Sequence, residues 1–246
     1  VSGLAKLARK YDVYIASGMI EWDPKAENVF NTGILLDRKG ELVVHYHKQF
    51  LTTHDQIWFK FGERGFPVVD TELGRVGLMI CFDGRIPEIP RCTALGGAQV
   101  ILDMANFFLI DQADLWRPAR AFENGVWICA ATKAGQERSI YYPGGSMIVD
   151  PNGNLRAKVA WDTHGMAVSE IDSTLADNKH YIQAADKFAD RLPATYTVLA
   201  RPYEETAVSK TSMEPIIPGE MTFNMAAAQT HVSESQPTTL DRVIEQ

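Results

Sequence analysis

Short apolar runs bounded by turn-forming residues recur along most of the chain and predict alternating strands and helices. Apolar residues at helical spacing predict a first helix over 3–10. Two further helices are predicted over 85–97 and 112–124, where Gly-Gly and Asn-Gly mark the ends. The predicted strands cover residues 13–16, 31–36, 41–46, 68–70, 76–80, 98–102, 126–131, 144–149, 155–159 and 166–171.

The strand–helix–strand–helix–strand order in the middle of the chain is typical of an α/β fold. Turn sequences at 37–40 and 150–153 predict hairpins on both sides of this region, so we expect mixed sheets rather than a purely parallel, doubly wound fold. Residues 172–192 are compatible with another helix. We expect one domain over 1–200 and an extended arm or poorly ordered tail over 201–246, which is rich in Pro, Ser, Thr and Glu.

Composition narrows the classes of function. The chain has 246 residues, 46% hydrophobic and 22% charged, which is the usual globular mixture. Its 24 basic and 31 acidic side chains give a net charge of -7, a poor basis for binding nucleic acid. No apolar run approaches the roughly 18 residues of a membrane helix. Three cysteines are too few for a disulfide framework, which favours a reducing cytoplasm.

The start of the sequence carries a further expectation. The chain opens with Val1 rather than Met and runs directly into the first predicted helix, without a secretory signal pattern. We therefore expect that further residues precede Val1.

Cys81 is the most distinctive candidate for chemistry. It follows an apolar strand and is followed within a few residues by Gly84, Pro87 and a predicted helix start. Ligands of α/β proteins bind at the carboxyl ends of strands, and a thiol on a tight strand-to-helix turn is exposed for attack beside backbone N–H groups. Cys92 and Cys129 lie within a predicted helix and a predicted strand, where packing is the more common role. A buried structural cysteine is the alternative for Cys81.

Lys48 is the second candidate. It directly follows the predicted strand 41–46, so it also lies at a strand's carboxyl end. Aromatic and apolar residues surround it in the sequence, and a lysine in such surroundings can stabilise a developing oxyanion. A solvated loop lysine is the alternative.

The sequence gives little support for a metal or a cofactor. His45 and His47 alternate on one strand and point to the same face, but no Cys or carboxylate cluster lies near them in the sequence. No zinc-ligand spacing and no glycine-rich nucleotide-binding loop is present. We expect neither a metal site nor a cofactor.

Four ordered segments resemble the motifs of the nitrilase, or carbon–nitrogen hydrolase, superfamily. Lys48 and Cys81 are 33 positions apart (81 minus 48), which is similar to the family spacing, and the resemblance extends over roughly residues 1–196. The segments are YHKQFL at 46–51, ICFDGRIPE at 80–88, RAFEN at 120–124 and GGSMIVDPNG at 144–153.

The resemblance implies a four-layer α-β-β-α sandwich, lacking its N-terminal part, and a Glu–Lys–Cys triad. By this resemblance Cys81 is the nucleophile, Lys48 stabilises the oxyanion and the backbone N–H of Phe82 is a second oxyanion donor. Candidate substrate-binding residues are Gln56, Trp58, Asn106 and Tyr141. Dimers are the usual unit of the family, which implies a homodimer or a larger homo-oligomer.

Two departures concern acidic residues. No residue of this chain matches the triad Glu, which lies in the family on a strand preceding the segment that matches 1–14. Glu21, near the end of the first strand, is the one internal carboxylate that we consider as a substitute base. The second family Glu, several residues after the lysine, is matched by Asp55 or Gln56.

The residues after Cys81 bear on the substrate. Phe82-Asp83 and the run 65–70 are closest to amidases and N-carbamoyl amidohydrolases, whereas nitrilases tend to have Trp-Glu after the cysteine. The resemblance implies hydrolysis of a small amide or N-carbamoyl compound through a thioester on the cysteine. The alternatives are a nitrilase and a catalytically silent member that acts as a structural partner.

Overall fold

The computed structural model describes residues 1–52, 54–108 and 112–210. The chain divides into two units, Val1–Arg191 and Leu192–Gln246. In the described part of the first unit, α-helices α1 to α4 cover Ser2–Tyr11, Asp55–Trp58, Glu88–Leu95 and Arg117–Asn124, and a π-helical turn over Gln112–Trp116 precedes α4. Its strands, β1 to β13, cover Ile15–Asp23, Asn28–Leu36, Leu42–His47, Val68–Thr71, Gly74–Ile80, Val100–Ala105, Trp127–Thr132, Ala134–Glu137, Ile140–Pro143, Met147–Val149, Leu155–Lys158, His180–Ile182 and Ala185–Asp186.

Two main sheets organise the first unit. Strands β1, β2 and β3 form an antiparallel sheet in that order. The other sheet has six strands in the order β11-β10-β7-β6-β5-β4. Its central strands β5, β6 and β7 are parallel, and the flanking strands are antiparallel. The carboxyl ends of the three parallel strands therefore meet at one edge, and Cys81 follows β5 at that edge.

Three apolar clusters separate four layers. Leu35, Val44 and Tyr46 of the small sheet pack with Leu78 and Val100 of the large sheet, which forms the core between the sheets. On the outer face of the large sheet, residues of α3 and α4 pack against β5, β6, β7 and β10. On the outer face of the small sheet, α1 packs against β2. The order is helix, sheet, sheet, helix, as the predicted sandwich requires.

The outer face of the small sheet is defined by alternation along the strands. Ile34 and Leu36 pack against Ala5 and Ala8 of α1, whereas Leu35 points to the large sheet. Because side chains alternate across a strand, residues paired with Ile34 also face α1. His45 is paired with Ile34, so it lies on this outer face.

Two predicted elements are wrong. Residues 166–171, predicted as a strand, have no regular structure. They pair with no strand of the described ranges, so Met166 and Val168 gain little burial and remain 83% and 69% exposed. Residues 172–192, predicted to be compatible with a helix, form a 3-10 turn and the short hairpin of β12 and β13 instead. The hairpin of β8 and β9 and the single-turn helix α2 were not predicted.

The second unit is described only as far as Lys210. Residues 192–210 form four short 3-10 turns, Pro193–Thr195, Thr197–Ala200, Tyr203–Glu205 and Val208–Lys210. The rest of the predicted arm, 211–246, lies outside the described residues. Within the described ranges, no helix is both long and apolar enough to cross a membrane.

Candidate active site

Cys81 lies on a sharp turn directly after β5. Its φ is +53°, in the left-handed region that costs a non-glycine residue about 1–3 kcal/mol. A 3-10 turn over Cys81–Arg85 follows, and α3 begins at Glu88. This strand–turn–helix geometry is typical of nucleophile elbows. The side chain is only 9% exposed, so the thiol is more enclosed than the sequence led us to expect.

Asp103 fixes the backbone of Cys81. It lies in β6, next to β5, and its buried Oδ1 accepts the Cys81 backbone N–H at 3.1 Å. The other oxygen, Oδ2, accepts Nε of the buried Arg117 at 3.1 Å, and Arg117 also donates to the carbonyl of Gly145 at 3.0 Å. Burial raises the pKa of Asp103, and the charge of Arg117 opposes that shift. The buried carboxylate of Asp103 therefore has a cationic partner, and the pair supports the strained turn.

Asp83 ties the cysteine turn to the lysine segment. Its Oδ2 accepts the Ile80 backbone N–H at 2.9 Å and the Tyr46 hydroxyl at 2.8 Å. Its Oδ1 accepts the Phe50 backbone N–H at 2.8 Å. Burial raises the pKa of Asp83 to about 6, against the hydrogen bonds to Phe50, Tyr46 and Ile80. One carboxylate thus joins the segment that contains Lys48 to the turn that contains Cys81.

Lys48 is buried at the end of β3 and is 3% exposed. Alternation along β3 places it on the same face as Tyr46, toward the large sheet. Its ammonium donates a hydrogen bond to Asp55 at the start of α2, and its charge lowers the pKa of the Cys81 thiol. A charged lysine therefore lies within electrostatic reach of the sulfur.

Asp55, rather than Gln56, carries the acidic charge beside the lysine. The carboxylate of Asp55 contacts Lys48 and also accepts the Thr52 backbone N–H at 3.3 Å. Gln56 is exposed and its amide donates to the carbonyl of Leu51 at 3.0 Å. From the sequence, either residue could match the second family Glu, because the two are adjacent. In the one-turn helix α2 their side chains point in different directions, and Asp55 is the one that contacts Lys48.

The thiol of Cys81 is strongly biased toward its neutral form. Burial raises its pKa to about 11, the charge of Lys48 opposes the shift, and the carboxylates of Asp103 and Asp55 add to it. The sulfur lies 3.9 Å from the backbone carbonyl of Asn106, just past the end of β6. The thiol is therefore protonated near neutral pH.

The other predicted site residues differ in their exposure and in their contacts. Asn106 is next to the thiol through its carbonyl, and the Phe82 ring stacks on Phe50 with centroids 5.3 Å apart. Trp58 is 73% exposed on α2, and Tyr141 is 47% exposed on β9. The structure therefore brings Asn106 and Phe82 to Cys81, and it leaves Trp58 and Tyr141 as exposed aromatic residues.

Glu21 is not placed to serve as the base of Cys81. It is paired with Phe30 on β2 and lies on the outer face of the small sheet, opposite the face of Lys48. Its carboxylate contacts Thr32, His45 and His47. Partial burial raises the pKa of Glu21, but these hydrogen bonds and the charge of His45 outweigh it and lower the pKa to about 2. The interpretation of Glu21 as a substitute base is wrong.

The same residues could hold a metal ion. Within the described ranges, Glu21, His45 and His47 form the one cluster whose ligand atoms all lie within 4.8 Å of one another. The sequence argued against zinc because no carboxylate was near the two histidines, and that premise does not hold in the folded chain.

Comparison with known proteins identifies the family. The profile of the carbon–nitrogen hydrolase family matches residues 1–181. The chain belongs to the carbon–nitrogen hydrolase family. A nitrilase of Pyrococcus abyssi is 34% identical over 193 residues, which are 78% of this chain and 72% of that protein. A probable nitrilase of Schizosaccharomyces pombe is 32% identical over 204 residues, covering 81% and 74%.

Solved structures agree with this assignment. An amidase from Nesterenkonia sp. matches with a TM-score of 0.68 and 25% identity over 80% of this chain and 71% of that one. A mutant of the Nesterenkonia sp. AN1 enzyme carries the acetamide moiety of fluoroacetamide on its active-site cysteine, and it matches with a TM-score of 0.70 and 25% identity over the same shares. The chain is therefore a carbon–nitrogen hydrolase with the nitrilase fold, as the four sequence motifs implied.

The raised pKa of Cys81 predicts how its thiol reacts with iodoacetamide. In a Cys92→Ala/Cys129→Ala background, we expect the alkylation rate to rise about tenfold per pH unit from pH 7 to 10, because only the thiolate attacks and the pKa is about 11. Intact mass against time measures the rate. Free cysteine, with a pKa of about 8.5, is the control and should level off earlier. A rate that levels off below pH 9 would contradict the buried, neutral thiol.

Proposed function

We propose that this carbon–nitrogen hydrolase cleaves a small amide or N-carbamoyl compound, with Cys81 as nucleophile. The observation that carries the proposal is the left-handed turn that holds Cys81 after β5, with the charge of Lys48 acting on its thiol. A thiol held this way can attack a carbonyl carbon from a fixed direction, which removes much of the entropic cost of the step.

The reaction proceeds in two balanced steps. The Cys81 sulfur bonds to the carbonyl carbon of an amide, the carbon–nitrogen bond breaks, and the thiol proton leaves with the nitrogen as ammonia. A thioester remains on the sulfur. Water then adds to the thioester carbon, the carbon–sulfur bond breaks, and the products are the acid and the free thiol. An N-carbamoyl compound releases an amine, carbon dioxide and ammonia overall.

Lys48 has the role of oxyanion stabiliser in this proposal. Its ammonium is buried, so its charge acts in surroundings that screen it less than water does. The carboxylate of Asp55 holds the ammonium in place and is a positioning residue. The backbone N–H of Phe82, which follows the nucleophile, is the proposed second donor.

Substrate recognition is proposed for Gln56, Trp58, Asn106 and Tyr141. Asn106 is beside the sulfur, and Gln56, Trp58 and Tyr141 are exposed residues that contribute contacts in this proposal. The mixture of aromatic and amide side chains suits a small polar substrate with an apolar part.

A nitrile is the second candidate substrate. Two relatives with more than 30% identity are named nitrilase or probable nitrilase, which favours testing this class. Attack of Cys81 on a nitrile carbon forms a thioimidate. One water then displaces ammonia and leaves a thioester, and a second water breaks the carbon–sulfur bond to give the acid and the free thiol. The two classes need the same nucleophile, so the assay must compare them directly.

An assay that compares the two substrate classes gives the first prediction for this function. On a panel of small amides, N-carbamoyl amino acids and the matching nitriles, we expect ammonia release that is fastest with the amide or carbamoyl compounds. Cys81→Ala should abolish it, because covalent catalysis needs the sulfur. The exposed Cys92→Ala is the matched control and should retain activity. Near-normal kcat in Cys81→Ala would refute the mechanism, and no turnover on any substrate would favour a catalytically silent protein.

Substitution of Lys48 should change kcat rather than KM if the lysine stabilises the oxyanion. We expect Lys48→Met to lower kcat on the order of a hundredfold or more, since an oxyanion donor acts mainly in the transition state. Methionine keeps the buried volume, and the double variant Lys48→Met/Asp55→Asn removes the carboxylate charge left without its partner. The exposed Lys60→Met is the control. A change confined to KM would make Lys48 a substrate-binding residue instead.

We also propose a homo-oligomer, a dimer or larger, in a cytoplasmic setting. Ile20 and Trp22 on the edge strand β1 are 73% and 59% exposed, which supports an apolar contact between copies. All three cysteines are free thiols, which supports a reducing compartment. Light scattering should give a mass of at least two chains, and Ile20→Ser/Trp22→Ser should lower it. A monomer at micromolar concentration would exclude this assembly. The 201–246 segment remains proposed as an arm or tail.

A further inference from the structure

A cluster of three potential ligands lies on the outer face of the small sheet, on the other side from Cys81. Glu21 comes from β1, and His45 and His47 come from β3. Glu21 Oε2 lies 2.7 Å from His45 Nε2 and 3.1 Å from His47 Nε2. Both imidazole rings therefore point the same nitrogen at one carboxylate oxygen, and this convergence goes beyond what a single hydrogen bond requires.

The surroundings hold the cluster in this geometry. The His47 ring stacks on Phe30 with centroids 4.0 Å apart and an interplanar angle of 11°. The His45 ring is nearly perpendicular to that of His47, at 86°. The Thr32 hydroxyl donates to the same Glu21 oxygen at 2.7 Å. The ring contacts and the hydrogen bond from Thr32 to Glu21 resemble the outer contacts that orient the ligands of known metal sites.

Exposure allows an ion to reach these atoms. The His47 side chain is 3% exposed, but those of Glu21 and His45 are each 25% exposed. The donor set is two imidazole nitrogens and one carboxylate, which is the set of several three-ligand zinc sites. Bonds of about 2.0–2.1 Å in a tetrahedral site separate the ligand atoms by roughly 3.3 Å. The two separations from Glu21 Oε2, 2.7 and 3.1 Å, are slightly shorter than this, and all three ligand atoms lie within 4.8 Å of one another.

We propose that Glu21, His45 and His47 bind a divalent transition-metal ion, with Zn²⁺ as the test ion, and leave a fourth position open to water. The site lies on the face of the sheet opposite the cysteine and does not depend on the proposed hydrolysis. A bound ion would join β1 to β3 across the middle strand β2.

Arg64 competes with the ion in this proposal. Its Nε donates a hydrogen bond to His47 Nε2 at 3.3 Å, which uses the lone pair that a metal ion would need, and its positive charge opposes a cation. The Arg64 side chain is 43% exposed and has a carboxylate of Asp23 3.9 Å away, so it can turn toward solvent. Removing Arg64 should therefore tighten metal binding, which a purely structural hydrogen-bond cluster does not predict.

The test uses the full chain without a polyhistidine tag, after dialysis against a chelator. Zn²⁺ binding is measured by calorimetry, and Co²⁺ binding by visible absorption, which reports a tetrahedral site. We expect one ion per chain. Glu21→Gln and His45→Ala should weaken binding at least tenfold, and Arg64→Ala should tighten it severalfold. The matched control is His164→Ala, since His164 is exposed and lies outside the cluster.

The outcomes separate the metal site from a structural cluster. Circular dichroism and thermal unfolding of each variant show whether it folds. If His45→Ala does not fold, the zinc affinity of Glu21→Gln decides the question, because glutamine keeps the shape of the glutamate side chain. Failure of the parent chain to take up one Zn²⁺ would overturn the proposal. So would affinity that is unchanged in folded Glu21→Gln, or equally reduced in His164→Ala.

Discussion

Two buried carboxylates hold the turn on which the candidate active site depends. Asp103 fixes the backbone N–H of Cys81 in a left-handed conformation, and Asp83 accepts the N–H of Ile80 one residue earlier. The buried charge of Asp103 has Arg117 as its partner, and Asp83 has three donors. Because a buried charge without such partners is costly, the strained turn and its hydrogen-bond network must form together.

The thiol environment shows competing electrostatic effects. Burial and the two carboxylates Asp103 and Asp55 favour the neutral thiol, and the charge of Lys48 favours the thiolate. The net result is a pKa of about 11. In the proposed reaction the neutral thiol must therefore lose its proton as the sulfur attacks.

The small sheet serves two different purposes on its two faces. Tyr46 and Lys48 point toward the large sheet and reach the cysteine turn, whereas His45 and His47 point outward to Glu21. Alternation along one strand therefore assigns neighbouring residues to separate sites. A substitution at His47 would change the outer cluster directly, and it would reach Lys48 only through the backbone that they share.

The amino-acid sequence by itself determined the strands that end at Lys48 and Cys81, the α/β class and, through four ordered motifs, the family. These features depend on local apolar periodicity and on residues close together in the chain. The same periodicity failed over 166–171, where apolar residues find no neighbouring strand. Only the tertiary structure showed that Asp55, and not Gln56, contacts Lys48. Only strand pairing brought Glu21 to His45 and His47 across β2. Contacts between strands depend on register and on the face that each side chain occupies, and neither can be read from residue types at a distance of more than twenty positions.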